Sequence, residues 1–278
     1  MAKQKIPRRT GNWTAIKLEY LDNYLQAYVT ATKRAGGTYY IDAFAGCGEC
    51  TLRKTGRVVE GSAWRALKAV PPFTCYYFIE KDEGSAAYLR EAILAKGIEN
   101  AHVYTGDCNT VIPNTVLHGI PTDRPSFAFL DPSGLQLHWQ TVAALAAHRK
   151  GLKMELLILY PYDMVIARWL RTPNVFPALT RFYGDEGWMI EAQRSFELKE
   201  TPDQRRARFV ELYRSKLLGL QYEHVEVFGL FYSGQRPLYH VVFASDSEVG
   251  LRIMRDVWRK PRFIPGELGY RPMRRPLS

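Results

Sequence analysis

The chain has 278 residues, 46% of them hydrophobic, enough to bury one large core or a core with a substantial appendage. No run approaches the 18 apolar residues of a membrane span, and four cysteines are far too few for a disulfide scaffold. The net charge of +10 is the informative number, because basic residues gather toward both ends and suggest affinity for a polyanion.

The first ten residues, MAKQKIPRRT, carry Lys3, Lys5, Arg8 and Arg9 with no apolar run behind them. No secretory signal is expected, and the cysteine content suits a cytoplasmic protein. Residues 13 to about 34 repeat Ile16, Tyr20, Leu21, Tyr24, Leu25 and Tyr28 at helical spacing, with Thr14 as the expected N-cap and Gly36-Gly37 as the stop. TYYIDAFAG then reads as a buried strand running into a glycine turn. GSAWRALKAV reads as a helix stopped by Pro71-Pro72, FTCYYFIEKD as a second strand and SAAYLREAILAKG as an amphipathic helix. AHVYTGD, SFAFLDPSG and MELLILYPYD are three further strands, with the helix WQTVAALAAHRKG between the last two.

Strands alternating with helices predict an α/β fold: a Rossmann-like sheet, mainly parallel, with helices on both faces. The near-continuous apolar runs fit strands buried on both sides. Residues 164–220 are helical and charged and read as an insertion. VEVFGLFYS and PLYHVVFAS then predict an antiparallel hairpin, followed by the basic helix LRIMRDVWRK. The expected organisation is a basic arm and helix over 1–38, a cofactor-binding core over 39–163, the insertion over 164–220, and a hairpin and basic helix over 221–278 completing the core. The C-terminal cations Arg252, Arg255, Arg259, Lys260, Arg262, Arg271, Arg274 and Arg275 stand among Trp258 and Tyr270, as Trp13 stands near the first group. Two readings remain: a nucleic-acid partner, or solvated tails.

Ligands of open parallel sheets sit beyond the carboxyl ends of the strands. Those ends here carry Asp42, Glu80, Asp107 and Asp131 in succession. Gly46 and Gly48 let the backbone approach a ligand, Glu80 can accept both hydroxyls of a ribose, and Asp107, followed by Asn109, can accept from an adenine amine. The P-loop pattern is absent, and a dinucleotide fingerprint fails at its third glycine, since positions 46, 48 and 51 are Gly, Gly and Thr. An acid-rich site without a phosphate cradle suits a cofactor with a positive centre and no phosphates, a description met by S-adenosylmethionine. Cys47-Gly48-Glu49-Cys50 has redox-dithiol spacing at what is expected to be a strand-to-helix junction, but zinc needs four ligands and only Cys108 is expected nearby. No metal is expected, and the glycines carry the signal.

WTAIKLEYLDNYLQAY, YIDAFAGCG, EGSAWRAL, FIEKD, FLDPSGL, RFYGDEGW and HVVFASDSEVGLRIM together resemble the three-Cys-motif partner (TcmP) family of bacteria and phages. That family is similar to class I S-adenosylmethionine-dependent methyltransferases, and the resemblance spans residues 12 to 258. It implies that Asp42, Phe44, Gly46 and Gly48 form the cofactor turn, with Gly46 and Gly48 along the methionine moiety. It further implies that Glu80 holds the ribose, Asp107 meets the adenine and Asp131 faces the transferred methyl. Lys17 recurs in the family pattern and is expected to face the site. A neighbouring protein carrying three cysteines is the implied partner.

Enzymes that methylate exocyclic amines of bases carry [DNS]-P-P-[YFW] after the fourth strand, whereas this chain has Asp131-Pro132-Ser133-Gly134. The second proline and the stacking aromatic are missing, and Tyr160 and Tyr162 after the fifth strand are the candidate replacements. Asp131 is the expected orienting group, with Asp163 behind it. Arg205, Arg206 and Arg208 of the insertion suit either phosphate contacts or the solvent side of a helix. The expected function is methyl transfer to a nucleic acid or a nucleic-acid-associated protein. The alternative is a methyltransferase-like partner protein that binds cofactor or nucleic acid without turnover.

Overall fold

The computed structural model describes residues 8–11, 13–233 and 236–259. The chain opens with strand β1 (Arg8–Thr10) and helix α1 (Trp13–Thr32), continues through β2 (Tyr39–Asp42), β3 (Glu49–Leu52) and β4 (Val58–Glu60), and enters helix α2 (Ser62–Leu67). β5 (Cys75–Glu80), α3 (Glu83–Ala95), β6 (Ala101–Thr105) and the single turn α4 (Cys108–Val111) follow. Next come β7 (Ser126–Leu130), α5 (Trp139–Ala147) and β8 (Glu155–Tyr160). The insertion contains α6 (Ala167–Trp169), α7 (Phe176–Tyr183), α8 (Gly187–Glu197) and α9 (Pro202–Gly219). The chain then makes the hairpin β9 (His224–Ser233) and β10 (Arg236–Ser245), and the described residues close on α10 (Glu248–Arg259).

Seven strands form one sheet in the order β6-β5-β2-β7-β8-β10-β9. The first five run parallel and β10 joins β8 antiparallel. Five parallel strands with the first at the centre, closed by an antiparallel hairpin at one edge, make this a Rossmann-like sheet of the class I methyltransferase type.

Alternation along each strand sorts the core into two layers. Tyr40, Phe78, Phe127, Leu157 and Phe243 face one side and pack with Leu21, Tyr24, Leu25 and Tyr28 of α1 and Leu251 and Met254 of α10. Ile41, Ile79, Ala128, Ile158 and Val242 face the other and pack with Val142 and Leu145 of α5 and Phe209, Tyr213 and Leu217 of α9. The insertion therefore covers one face of the sheet. α9 starts on a capping box between Thr201 and Gln204 with Pro202 in its first turn, which satisfies amides that no helical carbonyl reaches.

Two local expectations are corrected. α1 begins at Trp13, so Thr14 lies inside the helix, its amide bonded to the Gly11 carbonyl, and is not its cap. The glycine turn after β2 leads into a strand, not a helix: β3 pairs with β1 and β4 in a separate three-stranded sheet that the sequence reading missed. Strands of three or four residues, partly exposed and split by polar turn residues, leave too weak a periodic pattern to see. The C-terminal cations from Lys260 onward, Tyr270 and Lys3 and Lys5 lie outside the described residues.

Candidate active site

Period-two alternation places Asp42, Glu80 and Asp131 on the α1 side of the sheet, each two residues beyond an inward aromatic: Tyr40, Phe78 and Phe129. Register then sets their depth. Asp42 pairs level with Phe78 and Phe129, so it lies two residues, about 6–7 Å, below Glu80 and Asp131. Asp42 is accordingly fully buried. Burial pushes its carboxyl up to about 7, against the opposing pull of the Ser62 side chain, the Phe44 amide and Lys17. Oδ1 accepts the Phe44 amide at 3.2 Å, whereas Oδ2 is a buried oxygen without a well-formed hydrogen bond.

Glu80 holds the cofactor-type turn in place. Its Oε2 accepts the Gly46 amide at 2.9 Å and its Oε1 accepts the Asp82 amide at 2.7 Å, two of the roughly four bonds an ionised carboxylate can take. Gly46 has φ +61°, and a Cβ there would meet nothing within 4 Å, so the turn is open at this point. Gly48 is different. At φ +83° its missing Cβ would fall 2.8 Å from Trp64 Nε1 and 2.9 Å from Leu89 Cδ1, so this glycine lets the turn pack on α2 and α3. The Gly48 carbonyl also receives the Gly61 amide at 2.6 Å, tying the turn to the start of α2.

Lys17 Nζ donates to Asp131 Oδ2 in an ion pair that joins the second turn of α1 to the end of β7. Both residues stand out in the sequence, but nothing there links them. Asp107 is the N-cap of α4: its Oδ1 accepts the Asn109 amide and side chain at 3.0 and 2.7 Å, and its Oδ2 pairs with Lys81 at 2.9 Å. Partial burial raises the Asp107 carboxyl, but the Lys81 and Asn109 contacts outweigh it and hold it below its ordinary value. Asn109 in turn donates to the Gln136 carbonyl and receives the His138 amide and Thr141 hydroxyl, which fixes the stretch after Asp131. Phe44, at the turn, is half-buried.

Tyr160 and Tyr162 are placed differently from the expectation. They are 0% and 2% exposed, and both belong to the core beneath the insertion. Tyr160 donates to the Phe209 carbonyl of α9 and shares a hydrogen bond with Tyr183 of α7, so it anchors the insertion. The expected stacking surface is corrected accordingly: both rings are used in packing. Asp163 is likewise committed, receiving Arg206 bidentately at 2.7 and 2.8 Å. Arg208 is bound by Glu200 and Glu191, and Arg205 by the Ser195 hydroxyl and the Glu200 carbonyl. The three insertion arginines thus hold the insertion together.

Sequence reasoning missed Ser62, Lys81 and Asp82. Ser62 sits in EGSAWRAL, directly after the glycine that contacts the turn, and Asp82 is an N-cap residue three positions before Ser85, whose amide it accepts at 2.8 Å. All four cysteines are free; Cys47 is buried with its thiol directed to the Glu49 carbonyl, and Cys50 lies in β3. Among the described residues no cluster of three histidine, cysteine or acidic side chains is arranged for a metal, and no helix is long and apolar enough to cross a membrane.

No protein-family model and no curated protein sequence matches the chain. Solved structures with a similar fold include TYW2 of M. jannaschii in complex with AdoMet, 11% identical at a TM-score of 0.43 over 85% of this chain and 76% of that one. Trm1 from Pyrococcus horikoshii with S-adenosyl-L-methionine is 12% identical at a TM-score of 0.48, over 92% of this chain and 60% of its own. An rRNA methylase from Streptococcus thermophilus is 11% identical at 0.38, over 88% of this chain and 100% of its own. At such identities and scores a functional reading has to rest on the chain's own geometry.

Proposed function

We propose that the chain is an S-adenosylmethionine-dependent methyltransferase of the three-Cys-motif partner type, acting on a nucleic acid or a nucleic-acid-associated protein. The observation that carries the reading is the set of carboxylates at successive strand ends, with the open turn at Gly46 held by Glu80. The site residues fit the cofactor on two counts: Asp42 keeps a buried, poorly bonded oxygen beneath the strand-end acids, and a cofactor with an amine and a sulfonium brings the opposite charge. Asp42, Phe44 and Gly46 would hold the methionine end, Glu80 the ribose and the Asp107 region the adenine. Gly48 supports the turn from behind.

When bound, the cofactor would supply an electrophilic methyl on sulfur. Asp131 would face that position with one oxygen held by Lys17, leaving Oδ1 to accept a hydrogen bond from the N–H or O–H of the attacking group. Methyl transfer is an in-line displacement in which positioning does most of the work, and a carboxylate anchored at one oxygen orients well. The second reading, cofactor binding without turnover, is favoured by a separate observation. Neither tyrosine proposed to replace the missing stacking aromatic reaches the surface.

Calorimetric titration with S-adenosylmethionine and its demethylated product tests the first reading. Binding lost in Glu80→Ala and retained in Asp131→Ala is expected, together with methyl transfer to cellular RNA, DNA or protein that Asp131→Ala abolishes. A folded protein that binds neither compound would sink the cofactor assignment. Binding without transfer, also in the presence of a three-cysteine partner, would establish the second reading.

A further inference from the structure

We infer that the three-stranded sheet beside the cofactor turn is a docking element for the sugar–phosphate backbone of a nucleic acid; this rests on the methyltransferase reading only for what the docked strand is then used for. The loop from β3 to β4 reads Arg53-Lys54-Thr55-Gly56-Arg57, and β1 adds Arg9 alongside. All four cations are exposed, and none forms an ion pair among the described residues. That sets them apart from the insertion, where Arg206 and Arg208 are each held by carboxylates. The carboxylates of the hairpin, Glu49 and Glu60, lie opposite each other at its base, and Glu60 is taken by Lys68.

The loop is built to present these charges. Leu52 and Arg57 close it through an amide-to-carbonyl bond of 2.8 Å, and the Gly56 amide returns to the Leu52 carbonyl at 2.8 Å. Gly56 has φ +67° with open space around it, the left-handed conformation such a tight turn requires. Arg53 is braced on β1, its amide on the Thr10 carbonyl and its Nε on the Arg9 carbonyl, which leaves the terminal guanidinium nitrogens outward. A braced guanidinium beside further cations suits phosphate oxygens spaced along a strand.

Position favours a nucleic acid over a lipid surface. β3 starts at Glu49, one residue beyond Gly48 of the turn, and β1 runs through Gly11 into the helix that carries Lys17. Chain length alone keeps Thr10 within roughly 17 Å of Lys17. A strand held along β1 would lie within that distance of Lys17. The loop tip has no exposed aromatic or leucine to insert between acyl chains, which membrane-surface elements use.

Fluorescence anisotropy with labelled single-stranded RNA, single-stranded DNA and duplex oligonucleotides, over a salt series, tests the inference. The triple variant Arg53→Ala/Lys54→Ala/Arg57→Ala is expected to bind at least about tenfold more weakly. Its plot of log K against log salt should be shallower by about 2–3, as three lost phosphate contacts require. Arg53→Lys/Arg57→Lys should retain most of the affinity. Lys33→Ala/Arg34→Ala, exposed just beyond the far end of α1 and roughly 24 Å from Lys17, should change nothing. Whichever oligonucleotide responds identifies the strand type. The inference is overturned if the wild type binds no oligonucleotide at low salt, if the triple variant keeps the wild-type affinity and slope, if the Lys33/Arg34 variant loses as much, or if only phosphatidylserine vesicles bind. Titration of the same proteins with S-adenosylmethionine separates the two claims: wild type without cofactor affinity but with a hairpin-dependent oligonucleotide affinity refutes the methyltransferase reading and keeps this one.

Discussion

Replacing Lys17 by Met and Asp131 by Asn, singly and together, tests whether this ion pair sets the electrostatics of the cleft. Two unit charges near 3 Å attract by about 5 kcal/mol at an effective dielectric constant of about 20. The side chains are 10% and 21% exposed, so desolvation takes back a good part of that attraction. The net coupling should fall at about 1–3 kcal/mol, between the near-zero value of exposed pairs and the 3–5 kcal/mol cost of breaking buried ones. Lys17→Met also removes a charge that helps to keep Asp42 ionised, while Asp131→Asn removes one that opposes it.

The pH dependence follows with a definite sign. Asp42 has a folded-state pKa near 7 against an ordinary value of 3.8, so it is mostly neutral in the folded protein at pH 6 and mostly ionised at pH 8. At pH 6, Lys17→Met loses only the contact with Asp131. At pH 8 it also leaves two carboxylates facing one another without a cation. The variant should therefore be more destabilised at pH 8 than at pH 6, by on the order of 1 kcal/mol, and Asp131→Asn should show the opposite trend. Urea unfolding of the four proteins at both pH values measures this. Additivity within about 0.5 kcal/mol at both pH values, with no difference between them, would refute the electrostatic account.

The two glycines of the turn should separate in kind. Gly48→Ala forces a Cβ onto Trp64 and Leu89 at a positive φ and should cost about 2–3 kcal/mol in thermal or urea unfolding, whereas Gly46→Ala meets open space and should cost only about 1 kcal/mol of backbone strain while weakening S-adenosylmethionine binding about tenfold or more by calorimetry. His240 is buried, and desolvation, reinforced by Arg206, depresses its pKa to about 3. Its folded-state pKa lies below the ordinary 6.5, so stability falls as pH drops from 6.5 toward 3; His240→Leu should flatten that part of the stability profile, and an unchanged profile would contradict the assignment. Glu155 acts in the reverse direction: burial raises it to about 7 despite hydrogen bonds from Tyr24 and Ser245, so its contribution is full below about 4.5 and lost as pH rises through 7. Glu155→Gln should reduce the loss of stability between pH 5 and pH 8 in the same unfolding assay.

The sheet was legible because its determinants are local. Runs such as YYFIE and FAFL are apolar on both faces, the glycine and proline punctuation bounds them, and the topology follows from strands alternating with helices. The acids were legible for the same reason, since a polar residue that ends an apolar run marks the end of a buried strand. Partnership was not. Lys17 and Asp131 are 114 residues apart, and Arg206 reaches Asp163 across 43; nothing in either neighbourhood encodes which carboxylate a cation will find. The insertion arginines read equally well as phosphate ligands until the fold supplied Glu191, Glu200, Asp203 and Asp163 around them.

Depth was the other hidden variable, and it separates residues that look alike in sequence. Asp42 and Glu80 both end apolar strands, but the register leaves Asp42 level with Phe78, so one carboxylate is buried near neutrality and the other meets the turn amides. Tyr160 ends a strand in the same way and is drawn inward because α7 and α9 close over that end of the sheet. An insertion that covers β8 buries the fifth strand end, whereas β3 follows directly on the turn after β2, with β1 and β4 paired to it. On the proposed reading the ligand-facing surface is bounded by α1 and the basic hairpin, whose Arg9, Arg53, Lys54 and Arg57 form no ion pair among the described residues. On that reading substrate recognition is better sought there than at Arg206 and Arg208 of the insertion, whose charges are held by carboxylates.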